Sequence, residues 1–484
     1  MNFATATKAP YGKNAEFFML PDYRGKKVVV MGLGLLGGGA AAARFFSKQG
    51  ARVLVTDLKT QGELAVSVRA LTRYKNIRFV FGKHREEDFQ NADLIIQNPG
   101  VPGSSPYLEI ARREKIHIET DVSFMMKYCP AFTIGITGTK GKTTITALIA
   151  QIMPHALVGG NIGVSVFSLL PKLSKNSKQI VVLELSSWQL ESLKNARRSP
   201  QIAVISNIFP DHLNRYKNFT AYKNAKKLIF RYQKTGDYLI VNAENAEARG
   251  ICSGARSKVF LFGGTKAPLF GVFLRDGWIV FSNAHKTERV VRVDKSRLKG
   301  AHNKENVMAA VCVAKILGAP NRIIAKAVYQ FQGVPHRMEV VGMYKGVVYY
   351  NDTASTVPEA TIRAVQSLAE QGSAGRIVLI AGGSDKKLNY GEFAVVTASL
   401  CKNVILYKGA DSDTATDKMF EEYAKRGFRS FVLTASLKEA LNTAAGIAKK
   451  GESVLFSPGA SSFGKFVNEF DRGAQFVREV RRLF

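Results

Sequence analysis

Ile134-Gly135-Ile136-Thr137-Gly138-Thr139-Lys140-Gly141-Lys142-Thr143-Thr144 is the stretch that decides the fold. The apolar run 132–136 predicts a buried strand. The glycine-punctuated residues after it predict a loop, and Ala147, Leu148 and Ile149 a helix. A strand, a Gly-rich loop and a helix opening on Lys-Thr make a phosphate cradle. Backbone N–H groups and the helix N-terminus hold the anion, Lys142 adds a positive charge, and Thr143 offers a hydroxyl to Mg²⁺. Ile136 stands where the strict phosphate-loop pattern carries glycine. The stretch predicts an ATP user.

Upstream, a short apolar strand at 27–31 runs into Gly32-Leu33-Gly34-Leu35-Leu36-Gly37 and an Ala-rich helix. A second strand ends at Asp57. This GxGxxG unit, with its acidic residue 20 positions after the last glycine, predicts a Rossmann-like fold. Read alone, it suggests a dinucleotide site, with pyrophosphate on the helix and Asp57 on a ribose. A nicotinamide-dependent dehydrogenase is the corresponding alternative, and it leaves the phosphate loop unexplained.

Downstream, apolar strands end in polar residues at Glu184, at Ser206-Asn207, at Asn351-Asp352-Thr353, at Gly382-Gly383-Ser384-Asp385-Lys386 and at Ser457-Pro458-Gly459. Open α/β sheets gather ligands at such strand ends. A carboxylate at Glu184 can hold Mg²⁺ opposite the phosphate loop, since hard cations prefer oxygen. His212, in a turn-rich segment after a strand, is a candidate metal ligand or orienting group. Pro130 and Gly333-Val334-Pro335 punctuate the chain. The reading is an α/β protein of three consecutive domains: a Rossmann-like N-terminal domain over 1–130, a P-loop-type central ATPase domain over 131–332, and a Rossmann-like C-terminal domain over 333–484.

The 484 residues exceed what one core organises, and 46% hydrophobic content is ordinary for a soluble protein. Four scattered cysteines form no CxxC pair, which fits a reducing, cytoplasmic setting and argues against a disulfide framework or a zinc site. No secretory signal and no membrane insertion are expected. The formal net charge is +31, yet Lys and Arg are spread along the chain with no run of five. The charge therefore reads as a basic soluble surface that steers anionic substrates, with no specific nucleic acid partner. An NTPase stimulated by nucleic acid is the alternative.

Six motifs in order resemble the Mur ligases, the family that builds the peptidoglycan stem peptide. They are the loop Thr137–Thr144, Gly159-Gly160-Asn161-Ile162-Gly163, Glu184-Leu185-Ser186-Ser187-Trp188-Gln189-Leu190, Asp211-His212-Leu213-Asn214-Arg215-Tyr216, Gly300-Ala301-His302-Asn303 and Pro335-His336-Arg337-Met338-Glu339. The Gly32–Gly37 loop, the ELSSWQLES stretch and Ser457–Phe463 with Arg472-Gly473 look most like the branch that adds D-glutamate to UDP-N-acetylmuramoyl-L-alanine.

The resemblance implies a monomeric, ATP-dependent amide-forming ligase that works through an acyl phosphate with two Mg²⁺ ions. It places the UDP of the substrate on the first domain at Leu35, Leu36 and Asp57, with Asn161 on the sugar peptide. It assigns ATP to Gly138, Thr139, Lys140, Gly141, Lys142, Thr143, Thr144, Asn303, Asn306, Arg337 and Asp352. Thr143 and Glu184 would hold one Mg²⁺ and His212 the other. Lys226 falls where the family carries a carbamylated lysine that serves as a metal ligand, with the register against Lys227 open by one. D-glutamate falls to Thr356, Lys386, Ser462 and Phe463. Ala354 stands where some members have a lysine, which leaves Lys386 or Lys387 to meet the amino-acid carboxylate and keeps addition of another amino acid, such as L-glutamate, as the near alternative.

Overall fold

The computed structural model describes residues 20–34, 37–173, 179–211, 215–284, 286–298, 300–385, 388–462 and 466–484. The predicted residues Leu35, Leu36, His212, Lys386 and Phe463 lie outside them, as does Lys387.

The chain forms three sheets in two compact units, Met1–Phe331 and Gln332–Phe484. The first sheet has strands β1 (Lys27–Met31), β2 (Arg52–Asp57), β3 (Ile77–Phe81), β4 (Leu94–Gln97) and β5 (His117–Thr120). They are all parallel, in the order β3-β2-β1-β4-β5. Val28, Val29 and Val30 are fully or almost fully buried, as a central strand covered on both faces requires. The order reverses at β1, so the Gly-rich loop that follows it opens at the switch point of the sheet.

The second sheet belongs to the same unit. It contains β6 (Phe132–Thr137), β7 (Leu157–Gly160), β8 (Ile180–Glu184), β9 (Ile202–Ile205), β10 (Tyr238–Asn242), β11 (Lys258–Phe262), β12 (Phe270–Arg275), β13 (Trp278–Asn283) and β14 (Lys286–Arg292). Its order is β14-β13-β12-β11-β10-β9-β6-β8-β7, parallel from β7 through β12 and antiparallel at β12-β13-β14. The first two sheets share one hydrophobic core. Phe45 and Phe46, on the helix Gly38–Lys48, meet Phe124 and Phe167 with ring centroids 5.3–5.9 Å apart. Offset and edge contacts of this kind add to the burial energy of each ring.

The second unit is built on β15 (Glu339–Tyr344), β16 (Val347–Asn351), β17 (Ile377–Ala381), β18 (Asn403–Tyr407), β19 (Phe431–Thr434) and β20 (Ser453–Phe456). Their order is β15-β16-β20-β17-β18-β19, with only the β15–β16 pair antiparallel. β17 is buried throughout, and helices cover both faces of the sheet. Among the described residues no helix is long and apolar enough to cross a membrane.

Candidate active site

The phosphate loop leaves β6 and enters the helix Lys142–Ile152. Two glycines allow its path. Gly138 has φ +153° and Gly141 φ +83°, and a Cβ on either would land on Ser206 Oγ or Asn306 Oδ1. The loop is pinned to the end of β9. Thr139 N donates to the carbonyl of Asn207 at 2.9 Å, Lys140 N to Asn207 Oδ1 at 2.8 Å, and Ser206 Oγ to the carbonyl of Lys140 at 2.5 Å. These bonds fix the path of the loop in advance, so it need not reorganise when an anion arrives. Lys142 Nζ folds over the loop and donates to the carbonyls of Gly138 and Thr139 at 3.0 and 3.1 Å. Lys140 Nζ lies 3.9 Å from Asp211.

β8 lies beside β6, with Glu184 in register with Ile136, which brings a carboxylate next to the root of the loop. Glu184 is 1% exposed. Its Oε1 accepts from Asn161 Nδ2 at 3.0 Å, and its Oε2 is buried without a hydrogen-bond partner among the described residues. A buried carboxylate oxygen with no donor is costly unless something binds it. An oxygen of this kind is the donor type that hard cations prefer. Among the described residues no three His, Cys, Asp or Glu side chains gather as a metal cage.

On the helix Phe219–Lys227 the adjacent Lys226 and Lys227 differ in burial. Lys226 is 1% exposed, whereas Lys227 is half-buried. Lys226 Nζ donates to the carbonyl of Gly138 at 2.9 Å and lies 4.7 Å from the centre of the Tyr222 ring. Burial holds its pKa well below the usual lysine range, the nearby Lys142 cation lowers it further, and Asp211 opposes. The amine is therefore biased towards its neutral, nucleophilic form. Tyr222 and Ser206, which sequence reading gave no role, hold this arrangement. Tyr222 OH bonds Thr139 Oγ1 at 3.1 Å. Their signal in the sequence was only position: one lies a helical turn before Lys226, the other just past an apolar strand.

Asn306 lies over Gly141 on the helix Ala301–Ile316 and bonds Asn303 Oδ1 at 3.3 Å. In the first sheet Asp57 sits at the end of β2, where the fingerprint puts it. Its Oδ2 accepts from the backbone N–H of Leu33 at 2.8 Å and of Gly34 at 3.1 Å. Asp57 thus holds the Gly-rich loop in place.

In the second unit Arg337 is exposed between His336 and Met338, both with positive φ. Asp352 is buried, and its carboxylate accepts from Met338 N, Ser355 Oγ and Ser457 Oγ at 3.1, 2.6 and 2.7 Å. Burial pushes its pKa up to about 6 against these bonds. Thr356 is partly buried and Ser462 is buried. Arg472, fully buried, ties the strand-end loops together. It donates to Thr353 Oγ1 and to the carbonyls of Thr353, Ala460 and Ser461 at 3.0–3.2 Å.

Comparison with known proteins matches these segments to the Mur ligase MurD-like N-terminal domain over 26–120, the Mur ligase middle domain over 136–314 and the Mur ligase glutamate ligase domain over 336–459. A UDP-N-acetylmuramoylalanine--D-glutamate ligase of Roseiflexus sp. is 38% identical over 475 residues, spanning 94% of this chain and 98% of its own length. A Borreliella burgdorferi protein of the same name is 37% identical, spanning 96% and 100%. Among solved structures, UDP-N-acetylmuramate-alanine ligase from Thermotoga maritima aligns over 95% of this chain and 100% of its own, with TM-score 0.58 and 20% identity, a likeness of fold. With its three segments matched in order and relatives above one-third identity along nearly its whole length, the chain belongs to the Mur ligase family.

Proposed function

We propose that this protein joins D-glutamate to UDP-N-acetylmuramoyl-L-alanine at the expense of ATP, as the names of its relatives state for them. The observation that carries the chemistry is the unpartnered Glu184 Oε2 beside a preformed phosphate loop. In this reading the L-alanine carboxylate attacks the γ-phosphorus of ATP, ADP leaves, and an acyl phosphate forms. The D-glutamate amine then attacks the acyl carbon, and inorganic phosphate departs from the tetrahedral intermediate as the amide forms.

Bringing a carboxylate to a triphosphate needs positive charge between two anions. The loop N–H groups and Lys142 supply it on the protein side. Thr143, Glu184, His212 and a carbamylated Lys226 are the residues that would hold two Mg²⁺ ions, whose chemistry is to neutralise and align the phosphoryl oxygens. Carbamylation joins the neutral Lys226 nitrogen to the carbon of CO₂ with loss of one proton, turning an amine into an acidic ligand. Asn303, Asn306, Arg337 and Asp352 are assigned to ATP, and Arg337 suits phosphate oxygens because its fork is rigid. Leu35, Leu36, Asp57 and Asn161 are assigned to the nucleotide substrate. Thr356, Lys386, Ser462 and Phe463 are assigned to D-glutamate, with the division at 1–130, 131–332 and 333–484 and action as a cytoplasmic monomer.

The test is phosphate release with ATP, Mg²⁺ and UDP-N-acetylmuramoyl-L-alanine, comparing D-glutamate, L-glutamate and no amino acid. Release that depends on D-glutamate is expected. Release with L-glutamate instead overturns the amino-acid assignment and leaves the ligase chemistry standing.

A further inference from the structure

The even spread of Lys and Arg conceals an uneven spread of Asp and Glu. Residues 131–331 hold 30 of the 69 basic residues but only 10 of the 38 acidic ones, so about two-thirds of the +31 excess lies there. The fold then concentrates it. β8, β6, β9, β10 and β11 run parallel, so their starts share one end of the sheet and the phosphate loop lies at the other.

The segments that precede these strands are bonded into a single floor. Gln179 Nε2 donates to the carbonyl of Lys172, and Phe132 N to that of Gln179. Tyr232 N donates to Ser199 Oγ at 3.1 Å, Tyr238 N to the carbonyl of Gln201 at 2.8 Å, and Lys258 N to that of Asp237 at 3.0 Å. Lys172, Arg197, Arg231, Lys234, Arg256 and Lys258 are exposed on it. None of the six forms an ion pair among the described residues. The described residues 168–173, 179, 193–201, 231–237 and 252–258 include one acidic residue, Asp237, whose Oδ2 is taken by Lys234 N at 2.7 Å.

Five strands side by side make this floor about 20 Å broad. Among its described residues no large hydrophobic side chain is exposed to wedge into a groove. A broad field of fixed cations without such groups matches a plane of lipid phosphates better than a nucleic acid strand. We propose that the strand-start end of residues 131–331 is a docking surface for an anionic phospholipid membrane. It adsorbs by charge alone, with the phosphate loop at the far end of the sheet. None of the residues assigned to catalysis lies on it, so adsorption and turnover are separable.

The experiment is co-sedimentation of the full chain with vesicles of equal parts phosphatidylglycerol and phosphatidylcholine, against phosphatidylcholine alone. Three proteins are compared: the native protein, the floor variant Lys172→Glu/Arg231→Glu/Arg256→Glu, and a control reversal of equal charge in the second unit, Lys425→Glu/Arg429→Glu/Lys438→Glu. The native protein should bind only the anionic vesicles and be released as salt rises from about 0.05 to about 0.5 M. The floor variant should lose on the order of a hundredfold in vesicle affinity with ligase turnover intact, and the control should bind nearly as the native protein does. Binding to neutral vesicles, equal loss in both variants, or capture of an RNA oligonucleotide in place of vesicles overturns the proposal. A floor variant that loses turnover has unfolded; single reversals that keep turnover then decide, and vesicle binding unchanged in all three overturns it equally.

Discussion

Lys226 Nζ and the carbonyl of Gly138 meet at 2.9 Å across 88 residues of sequence, inside a site where the amine is almost sealed from water. A buried ammonium beside Lys142 is unfavourable there, and the proposed carbamate would relieve it. Incubation with ¹³C-bicarbonate should therefore produce a carbamate resonance that Lys226→Arg abolishes and Lys227→Arg keeps. A signal that survives Lys226→Arg sinks the assignment.

Asn161 meets Glu184 twice, its backbone N–H on the Glu184 carbonyl and its side-chain amide on Oε1, and leaves Oε2 without a partner among the described residues. Asn161→Ala should raise the Mg²⁺ concentration needed for half-maximal turnover by about 10- to 100-fold, as loss of an orienting partner does in metal sites. Saturating Mg²⁺ should then restore most of the rate. KM for the nucleotide substrate should rise as well, since Asn161 is also assigned to it, and a half-maximal Mg²⁺ concentration that does not move counts against the orienting role.

Asp352 carries a pH signature. Its folded pKa of about 6 lies above the carboxylate reference of 3.8, so the native state binds the extra proton between the two values. Stability from this group is complete below about 4 and is lost as pH rises through about 6, with about 2–3 kcal/mol at stake. Urea unfolding of the wild type and Asp352→Asn from pH 4 to pH 7 should show the difference between them shifting in favour of the variant as pH rises. A constant difference counts against this.

Arg472 has a buried guanidinium bonded to one hydroxyl and three carbonyls from the loops after β16 and β20. Arg472→Met strands those acceptors and should cost about 3 kcal/mol or more in denaturant unfolding. Arg472→Lys should recover little, because a single ammonium cannot span the same fork.

Much of this site was legible because strands announce themselves by apolar runs and ligands collect at their ends. The runs ending at Glu184, Ser206 and Asp352 all become strands whose ends carry polar groups. Partners of side chains were not legible, because they depend on which strands become neighbours. Asp57 shows this: its spacing from Gly37 suggests a ligand contact, while the bonds its carboxylate accepts from the N–H groups of Leu33 and Gly34 follow from the parallel pairing of β1 and β2. Arg472 was visible only as part of an Arg-Gly pair, since nothing in its neighbours tells a buried guanidinium from an exposed one. That Lys226 is buried and Lys227 only half-buried depends on the face of a helix, which the surrounding Asn-Ala-Lys-Lys does not fix.

The aromatic seam of Phe45, Phe46, Phe124 and Phe167 governs how the gene can be recombined. A chimera cut at the proline after Cys129 separates Phe167 from the three rings it was shaped against, so each half meets a stranger's surface. Exchange of the first sheet with a relative succeeds only where the donor's rings fit the recipient's Phe167, or where 166–168 travel with it. The lineage of the front module and that of the ATP module are therefore expected to be inherited together.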